Sequence, residues 1–83
     1  MKSDVRRILT KFRRDNEAFE GEIDVSHIPV QVLINLFCPP PEDSYLYVSR
    51  LIERKHALVI NSYLSEPLNL DIYDYFLDAE SND

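Results

Sequence analysis

The sequence contains one glycine, one cysteine and no tryptophan, and no apolar run approaches the ~18 residues that a membrane span needs. A single glycine excludes the glycine-rich loops that cradle phosphate groups. The lone Cys38 excludes an intrachain disulfide and fits a reducing compartment. No apolar stretch follows Lys2 and the first arginines, so we expect no signal peptide and no membrane association. These absences predict a cytoplasmic protein.

Residues able to carry catalysis or to bind a metal are also few. His27, Cys38 and His56 are the soft ligands available, and their spacing matches no zinc pattern. Cys38 follows an apolar stretch, which predicts a buried and inert thiol. His56, beside Lys55, is predicted to be a solvated surface residue. We therefore expect no enzymatic activity, no metal, no cofactor and no small-molecule substrate.

The length of 83 residues predicts one domain spanning the whole chain, and 45% hydrophobic with 29% charged residues is ordinary for a globular protein. The formal net charge of −6 is unevenly distributed. Residues 1–14 hold six bases and one acid, whereas residues 15–83 hold fourteen acids and three bases. A basic arm is one signature of nucleic-acid binding. Pairing with acids on a neighbouring strand is the simpler interpretation, so we expect no direct nucleic-acid binding.

Two alternating stretches, from Val5 to Arg14 and from Ala18 to Val25, predict a β-hairpin with Asp15-Asn16 at its turn. The basic face of the first strand is predicted to meet the acidic face of the second. Gly21 indicates a bulge or a close packing contact. The basic face is Arg7, Lys11 and Arg13; the acidic face is Glu20, Glu22 and Asp24; and Phe19, Gly21, Ile23 and Val25 are predicted to share the remaining face of the second strand.

The sequence pattern in the middle of the chain predicts a helix and then an extended spacer. The secondary structure of the stretch that follows is ambiguous. Pro29 suits the first turn of a short helix, which ends before Cys38 because three prolines follow. Residues 45–63 admit two interpretations. The preferred one is a strand from Tyr45 to about Leu51 and then a helix from about Glu53 to Tyr63; the alternative is one long helix. The apolar stripe of the first helix is Val30, Leu33, Ile34 and Phe37.

The most aromatic stretch, from Asn69 to Glu80, is also acidic and contains no basic residue. Its alternation predicts a strand with one apolar and one acidic face. The apolar face is Tyr73, Tyr75, Leu77 and Ala79, and the acidic face is Asp74, Phe76, Asp78 and Glu80. The element order is therefore β-β-α-β-α-β. It predicts an α+β domain in which helices pack on one face of a mostly antiparallel sheet.

Three segments together resemble a family of small bacterial immunity domains found beside polymorphic and contact-dependent growth-inhibition toxins. They are Phe19-Glu20-Gly21-Glu22-Ile23-Asp24-Val25, Ile28-Pro29-Val30 with Leu33 and Phe37, and Leu70-Asp71-Ile72-Tyr73-Asp74-Tyr75-Phe76-Leu77-Asp78-Ala79. The resemblance spans about Val5 to Glu80, although Arg50 to Leu64 fits the pattern poorly. It implies a cytoplasmic protein that binds and neutralises a cognate toxin domain, with no catalytic residues.

Acids interleaved with aromatic residues predict the contact surface, because aromatic residues anchor interfaces and acids attract a basic partner such as a nuclease toxin. The predicted contact residues are Asp71, Tyr73, Asp74, Tyr75, Phe76, Asp78 and Glu80, with Glu42 and Asp43 in the proline-rich loop as an alternative site. The alternative function is a regulatory or adaptor module that binds another basic protein. A toxin gene immediately upstream would favour the immunity function.

Overall fold

The computed structural model describes residues 5–44 and 46–81 and confirms an α+β fold with the order β-β-α-β-α-β. Short 3-10 turns at Pro41–Asp43 and Asn61–Tyr63 follow the first and second helix, respectively. The strands are β1 (Val5–Arg13), β2 (Phe19–Asp24), β3 (Arg50–Leu51) and β4 (Tyr73–Ser81), and the helices are α1 (Val30–Phe37) and α2 (Arg54–Ile60).

The four strands form one sheet in the order β2-β1-β4-β3, with every neighbouring pair antiparallel. The long strands β1 and β4 lie in the centre and pair along nine residues, from Val5 opposite Ser81 to Arg13 opposite Tyr73. β2 and the two-residue β3 form the edges. This order brings the first and last strands of the chain together, so the aromatic C-terminal strand lies in the middle of the sheet.

Both helices contribute to a core on one face of the sheet, as the sequence predicted. Leu9 of β1 and Leu77 of β4 lie opposite each other and are at most 1% exposed. Leu33 of α1 and Ile60 of α2 belong to the same buried cluster. At about 25 cal/mol per Å² of apolar surface, each fully buried side chain contributes roughly 2 kcal/mol. We call this side the helix side and the opposite side the open face.

The β1–β2 hairpin forms as predicted, but its charged faces do not meet. Leu9 pairs with Ile23, which places Arg7 and Lys11 on the helix side. Glu22 and Asp24 lie opposite Thr10 and Ile8 and therefore point to the open face. The register follows apolar burial, since a one-residue slip of β2 would have turned Ile23 away from Leu9 and the core. Weak exposed ion pairs cannot offset that cost. The predicted pairing of Arg7, Lys11 and Arg13 with Glu20, Glu22 and Asp24 is thus wrong.

Helix α1 begins after Pro29 and ends at Phe37, within one residue of the predicted bounds. Leu33 is its fully buried residue. Cys38 ends the helix in the left-handed conformation, with φ 47°, because Pro39 prevents continuation of the helix. The Cys38 side chain is exposed, so the predicted buried thiol is wrong.

The stretch before α2 is mostly loop, and strand β3 is limited to Arg50–Leu51. Leu46 has φ 61° and is fully buried, which breaks the extended conformation predicted for this stretch. Tyr45, the predicted first residue of the strand, lies outside the described residues. A strand followed by a helix is nevertheless the arrangement observed, and the alternative of one long helix is wrong.

Helix α2 begins with a reciprocal cap that buries His56. His56 Nδ1 accepts a hydrogen bond from the backbone N–H of Glu53 at 2.9 Å. The imidazole is 5% exposed and packs on the ring of Phe37 in α1, with ring centroids 4.2 Å apart. The prediction of a solvated His56 is therefore wrong, because capping requires the ring to fold back onto the helix start.

Candidate binding surface on the open face

The open face carries an apolar stripe that crosses all four strands. Phe12 of β1 packs edge to face against Phe19 of β2 and Phe76 of β4, with centroid distances of 5.7 and 5.8 Å. Leu51 of β3 lies opposite Phe76. Phe19 is 58% exposed and Leu51 47%, whereas Phe12 and Phe76 are half-buried. We call the three phenylalanines together with Leu51 the aromatic stripe. No helix of the described chain covers it, since both helices join the core on the opposite side.

A β-bulge places Phe19 in this stripe. Lys11 pairs with Gly21 and Phe12 pairs with Phe19, so Glu20 is an extra residue in β2. Strand side chains alternate between faces, and the extra residue moves Phe19 from the side of Ile23 to the side of Phe12. Gly21 has φ 139°, which side chains larger than hydrogen rarely adopt, although nothing lies within 4 Å of a Cβ added there. The bulge at Gly21 is confirmed, and the shared face of Phe19 with Ile23 and Val25 is wrong.

Carboxylates flank the aromatic stripe on both sides of β1. Arg6 bridges β2 and β4 through ion pairs to Asp24 at 3.5 Å and to Glu80 at 3.0 Å. The Thr10 hydroxyl donates to Asp78 at 2.8 Å. In the described strands, five carboxylate side chains point to the open face: Glu22 and Asp24 on β2, and Asp74, Asp78 and Glu80 on β4.

Two arginines touch these carboxylates, Arg6 and also Arg14, which lies 3.5 Å from Asp74. Acids therefore remain in excess on the open face, which gives it a negative potential. The backbone N–H of Ser26 donates to Asp24 at 2.8 Å, and this bond, more than the charge of Arg6, lowers the pKa of Asp24 from its ordinary value.

The predicted contact residues on β4 divide between the two faces of the sheet. Asp74, Phe76, Asp78 and Glu80 share the open face, as their alternation predicted. Tyr75 is 3% exposed in the core, and its hydroxyl accepts the backbone N–H of Asn69 at 3.2 Å. We therefore remove Tyr75 from the candidate surface.

The remaining predicted residues before and within β4 also lie away from the open face. Tyr73 is half-buried on the helix side, with the Lys11 ammonium 4.4 Å from its ring centroid. Asp71 is exposed in the loop before β4 and pairs with Arg54 at 3.4 Å. Neither residue borders the aromatic stripe.

Only one of the two acids proposed as the alternative site in the proline-rich loop is accessible to a partner. Asp43 is 7% exposed and accepts hydrogen bonds from the backbone N–H groups of Tyr47 at 2.8 Å and Val48 at 3.3 Å. It also pairs with Arg50 at 2.8 Å, and this bond lowers the pKa of Asp43. Asp43 therefore holds the loop together and is not available to a partner. Glu42 remains exposed.

Three residues of the aromatic stripe were not among the predicted contacts: Phe12, Phe19 and Leu51. Phe19 could have been found from Gly21, because a bulge at that position reverses the face of the residue before it in β2. The face of Phe12 follows from the alternation of β1, where it lies on the side of Ile8 and Thr10. Leu51 carries no comparable signal, since its place beside Phe76 depends on the long-range pairing of β3 with β4.

The described residues give no evidence of a metal centre or a membrane helix. In residues 5–44 and 46–81, no three His, Cys, Asp or Glu side chains are grouped so that they could hold a metal ion. Within the same ranges, no helix is both long and apolar enough to cross a bilayer.

Fold and surface together define a small α+β domain whose sheet has one face buried by helices and one left open. Residues 6–78 match the family described as a domain of unknown function, DUF7683. The match covers most of the chain, from β1 into β4, and the protein belongs to that family. No curated protein and no solved structure matches the chain. Because the family description assigns no activity, the resemblance to immunity domains stays a prediction.

Proposed function

We propose that this protein is an immunity protein that neutralises a basic bacterial toxin domain by covering it with the open face. One observation carries the proposal: the aromatic stripe lies among excess carboxylates on a sheet face that neither helix covers. The sequence resemblance supplies the class of partner. We further propose that the protein acts in the cytoplasm and has no catalytic activity of its own.

The chemistry of the open face supports binding to a cationic protein. Aromatic side chains that become buried at the centre of an interface carry a large share of the binding energy. The surrounding acids attract basic residues and accelerate encounter. Toxins that act on nucleic acids are basic where they bind phosphates, so a carboxylate-lined face can occupy the same surface. This arrangement favours a protein partner over nucleic acid, whose phosphates the acids would repel.

The proposal is tested with the protein encoded directly upstream of this gene. The C-terminal domain of that upstream protein is produced in host cells that either contain or lack this protein. We expect normal growth when this protein is present and growth arrest when it is absent, together with a 1:1 complex of nanomolar affinity in vitro. A Phe19→Ala/Phe76→Ala variant should lose protection, whereas an Ile72→Ala variant, which changes an exposed apolar residue outside the stripe, should retain it.

The outcome also separates the two candidate functions. A tight complex with the neighbouring protein, without any toxicity to relieve, would favour a regulatory or adaptor module. Failure to bind that protein and failure to protect the cell would together refute the immunity function.

A further inference from the structure

We infer that a cavity in the open face, beside the contacting rings of Phe12 and Phe76, receives a single arginine side chain of the partner. The cavity measures about 220 Å³ and is lined by Phe12, Glu17, Asp74 and Phe76. Its lining thus combines two phenylalanines with two acidic residues. The assignment of the arginine to a protein partner rests on the function proposed above, whereas the affinity of the cavity for a guanidinium group can be measured by itself.

The size of the cavity fits one long side chain. Liquid water occupies ~30 Å³ per molecule, so the space corresponds to about seven waters. That is far too little for a helix, whose diameter is ~10–12 Å with side chains. It suits the aliphatic stem and planar head of one arginine.

The aromatic rings match the apolar parts of that side chain. The ring centroids of Phe12 and Phe76 are 5.8 Å apart, and the ring planes are inclined by 81°. A guanidinium stacks on an aromatic face and is more weakly hydrated than an ammonium, so it gives up its water at lower cost. The methylene stem can lie along the second ring. These properties favour arginine over lysine.

The two carboxylates provide acceptors for the guanidinium fork. In the part of the chain that the structure describes, no side chain or backbone N–H donates to the Glu17 carboxylate, and Asp74 is engaged through Oδ1 by Arg14 at 3.5 Å. Asp74 Oδ2 and both oxygens of Glu17 therefore remain available. Charge-assisted bonds of this kind are stronger than neutral ones.

The identity of residue 17 supports a role beyond the turn. Glu17 has φ 59°, a left-handed conformation that glycine or asparagine adopts at lower cost. The hairpin turn alone would therefore favour either of those residues. Glutamate places a carboxylate beside the two rings instead.

The test is a titration of the ¹⁵N-labelled full chain with N-acetyl-L-arginine methylamide, followed by NMR. We expect saturable shifts at the backbone amides of Phe12, Glu17, Asp74 and Phe76, with weak, millimolar affinity. The neutral isostere N-acetyl-L-citrulline methylamide should bind at least ~10-fold more weakly, which corresponds to ~1.4 kcal/mol. The corresponding lysine compound should bind more weakly than the arginine compound, and tighter binding of lysine would overturn the assignment.

Variants locate the site. Glu17→Gln removes one charge and should weaken binding of the arginine compound several-fold, as should Phe76→Leu, which keeps an apolar side chain but removes the ring. Glu66→Gln removes a charge from an exposed position outside the sheet and outside the cavity lining, and should leave the affinity unchanged. The spectrum of each variant verifies its fold.

Equal affinity for citrulline, shifts away from these amides, an equal effect of Glu66→Gln or an absence of saturable binding would each refute the inference. None of these results would decide whether the protein protects cells. Conversely, a cavity that binds arginine in a protein that gives no protection would leave this inference intact and refute the immunity function.

Discussion

At the scale of single residues, Asp43 stabilises the loop between α1 and β3 with its carboxylate. Three donors converge on it: two backbone N–H groups and the Arg50 guanidinium. We expect Asp43→Ala to lower Tm by roughly 5–10 °C, because the change leaves these donors without their acceptor. Thermal unfolding followed by circular dichroism measures the loss.

The neighbouring acid provides the control for this prediction. Glu42→Ala removes the same charge from an exposed position and should leave Tm within about 2 °C of the unchanged protein. The effect of Asp43 also has a pH dependence. Its pKa is lowered in the folded state, so its contribution is present above the unfolded pKa of about 4 and is lost as pH falls through the folded value. Equal Tm values for the two variants at pH 7 would contradict the structural role of Asp43.

We expect His56 to make the stability of the fold sensitive to mild acid. Burial lowers its pKa from the ordinary value of 6.5, and the charge of Glu53 opposes this shift. The unfolded chain therefore binds a proton before the folded chain does, so stability should decrease as pH falls from 7 towards 5. Protonation would also abolish the acceptor that Nδ1 offers to the Glu53 N–H.

His56→Gln tests this dependence, since glutamine can cap the helix start and does not titrate. We expect the urea unfolding free energy of the variant to decrease less between pH 7 and pH 5 than that of the unchanged protein. His27→Gln is the matched control for the second histidine, which is exposed. The same pH dependence in the unchanged protein and in His56→Gln would show that another group is responsible.

At the scale of elements, the bulge in β2 is the feature that creates the aromatic stripe. It depends on Gly21, whose φ of 139° strains any other residue. We expect Gly21→Ala to reduce the free energy of unfolding by about 1–3 kcal/mol, as a consequence of the backbone alone, because there is open space around the added methyl group.

Urea unfolding measures this loss, and Glu22→Ala on the same strand is the control, with an expected change within ~0.5 kcal/mol. Deletion of Glu20 provides a second readout. It should restore a regular ladder in which Phe19 follows Gly21 directly and stays opposite Phe12, so nuclear Overhauser contacts between the rings of Phe12 and Phe19 should persist. Loss of those contacts in a folded deletion variant would contradict the assignment of Glu20 as the extra residue.

The alternation of apolar and polar residues was sufficient to predict β1, β2 and β4, because each strand has one buried face. It could not predict the register of the hairpin. Opposite charges at Lys11 and Glu22 indicated one pairing, whereas burial of Leu9 against Ile23 determined another. Sequence alternation gives the faces of each strand, but the energy of the core decides how the faces of two strands are combined.

The loop before β3 shows a second limit of local patterns. Tyr47 and Val48 have high strand propensity, and the sequence accordingly predicted an extended segment. In the structure their N–H groups are bound by the Asp43 carboxylate. Donors held in this way cannot pair with β4, so the strand begins only at Arg50. A single buried side chain has overridden the propensity of its neighbours.

At the scale of the whole molecule, the candidate surface depends on contacts that no local pattern contains. The acids of β4 were predicted correctly to share a face with Phe76. That this face is open, and that it continues across β1 to Phe19, follows from the strand order and from the placement of both helices on the other side. The same topology buries Tyr75, which composition alone had assigned to the interface.

The carboxylates of the open face should accelerate association with a basic partner. We expect Asp74→Asn/Asp78→Asn to slow association with the basic toxin domain by ~3–10-fold at low ionic strength, because acids near an interface steer encounter. Asparagine keeps an acceptor for the Thr10 hydroxyl, so the sheet should remain intact. Glu42→Gln/Glu66→Gln makes the same change in net charge at exposed positions outside the sheet.

Stopped-flow association rates at 20 mM and 500 mM salt distinguish a local effect from one of net charge. If the open face contacts the toxin, the Asp74/Asp78 variant should slow association far more than the Glu42/Glu66 variant at low salt. The two rates should converge at high salt, where the Debye length falls to a few ångströms. If both variants slow association equally, the acids act only through the net charge of the protein. If the Glu42/Glu66 variant alone slows association, the toxin binds near the proline-rich loop, and the open face is not the contact surface.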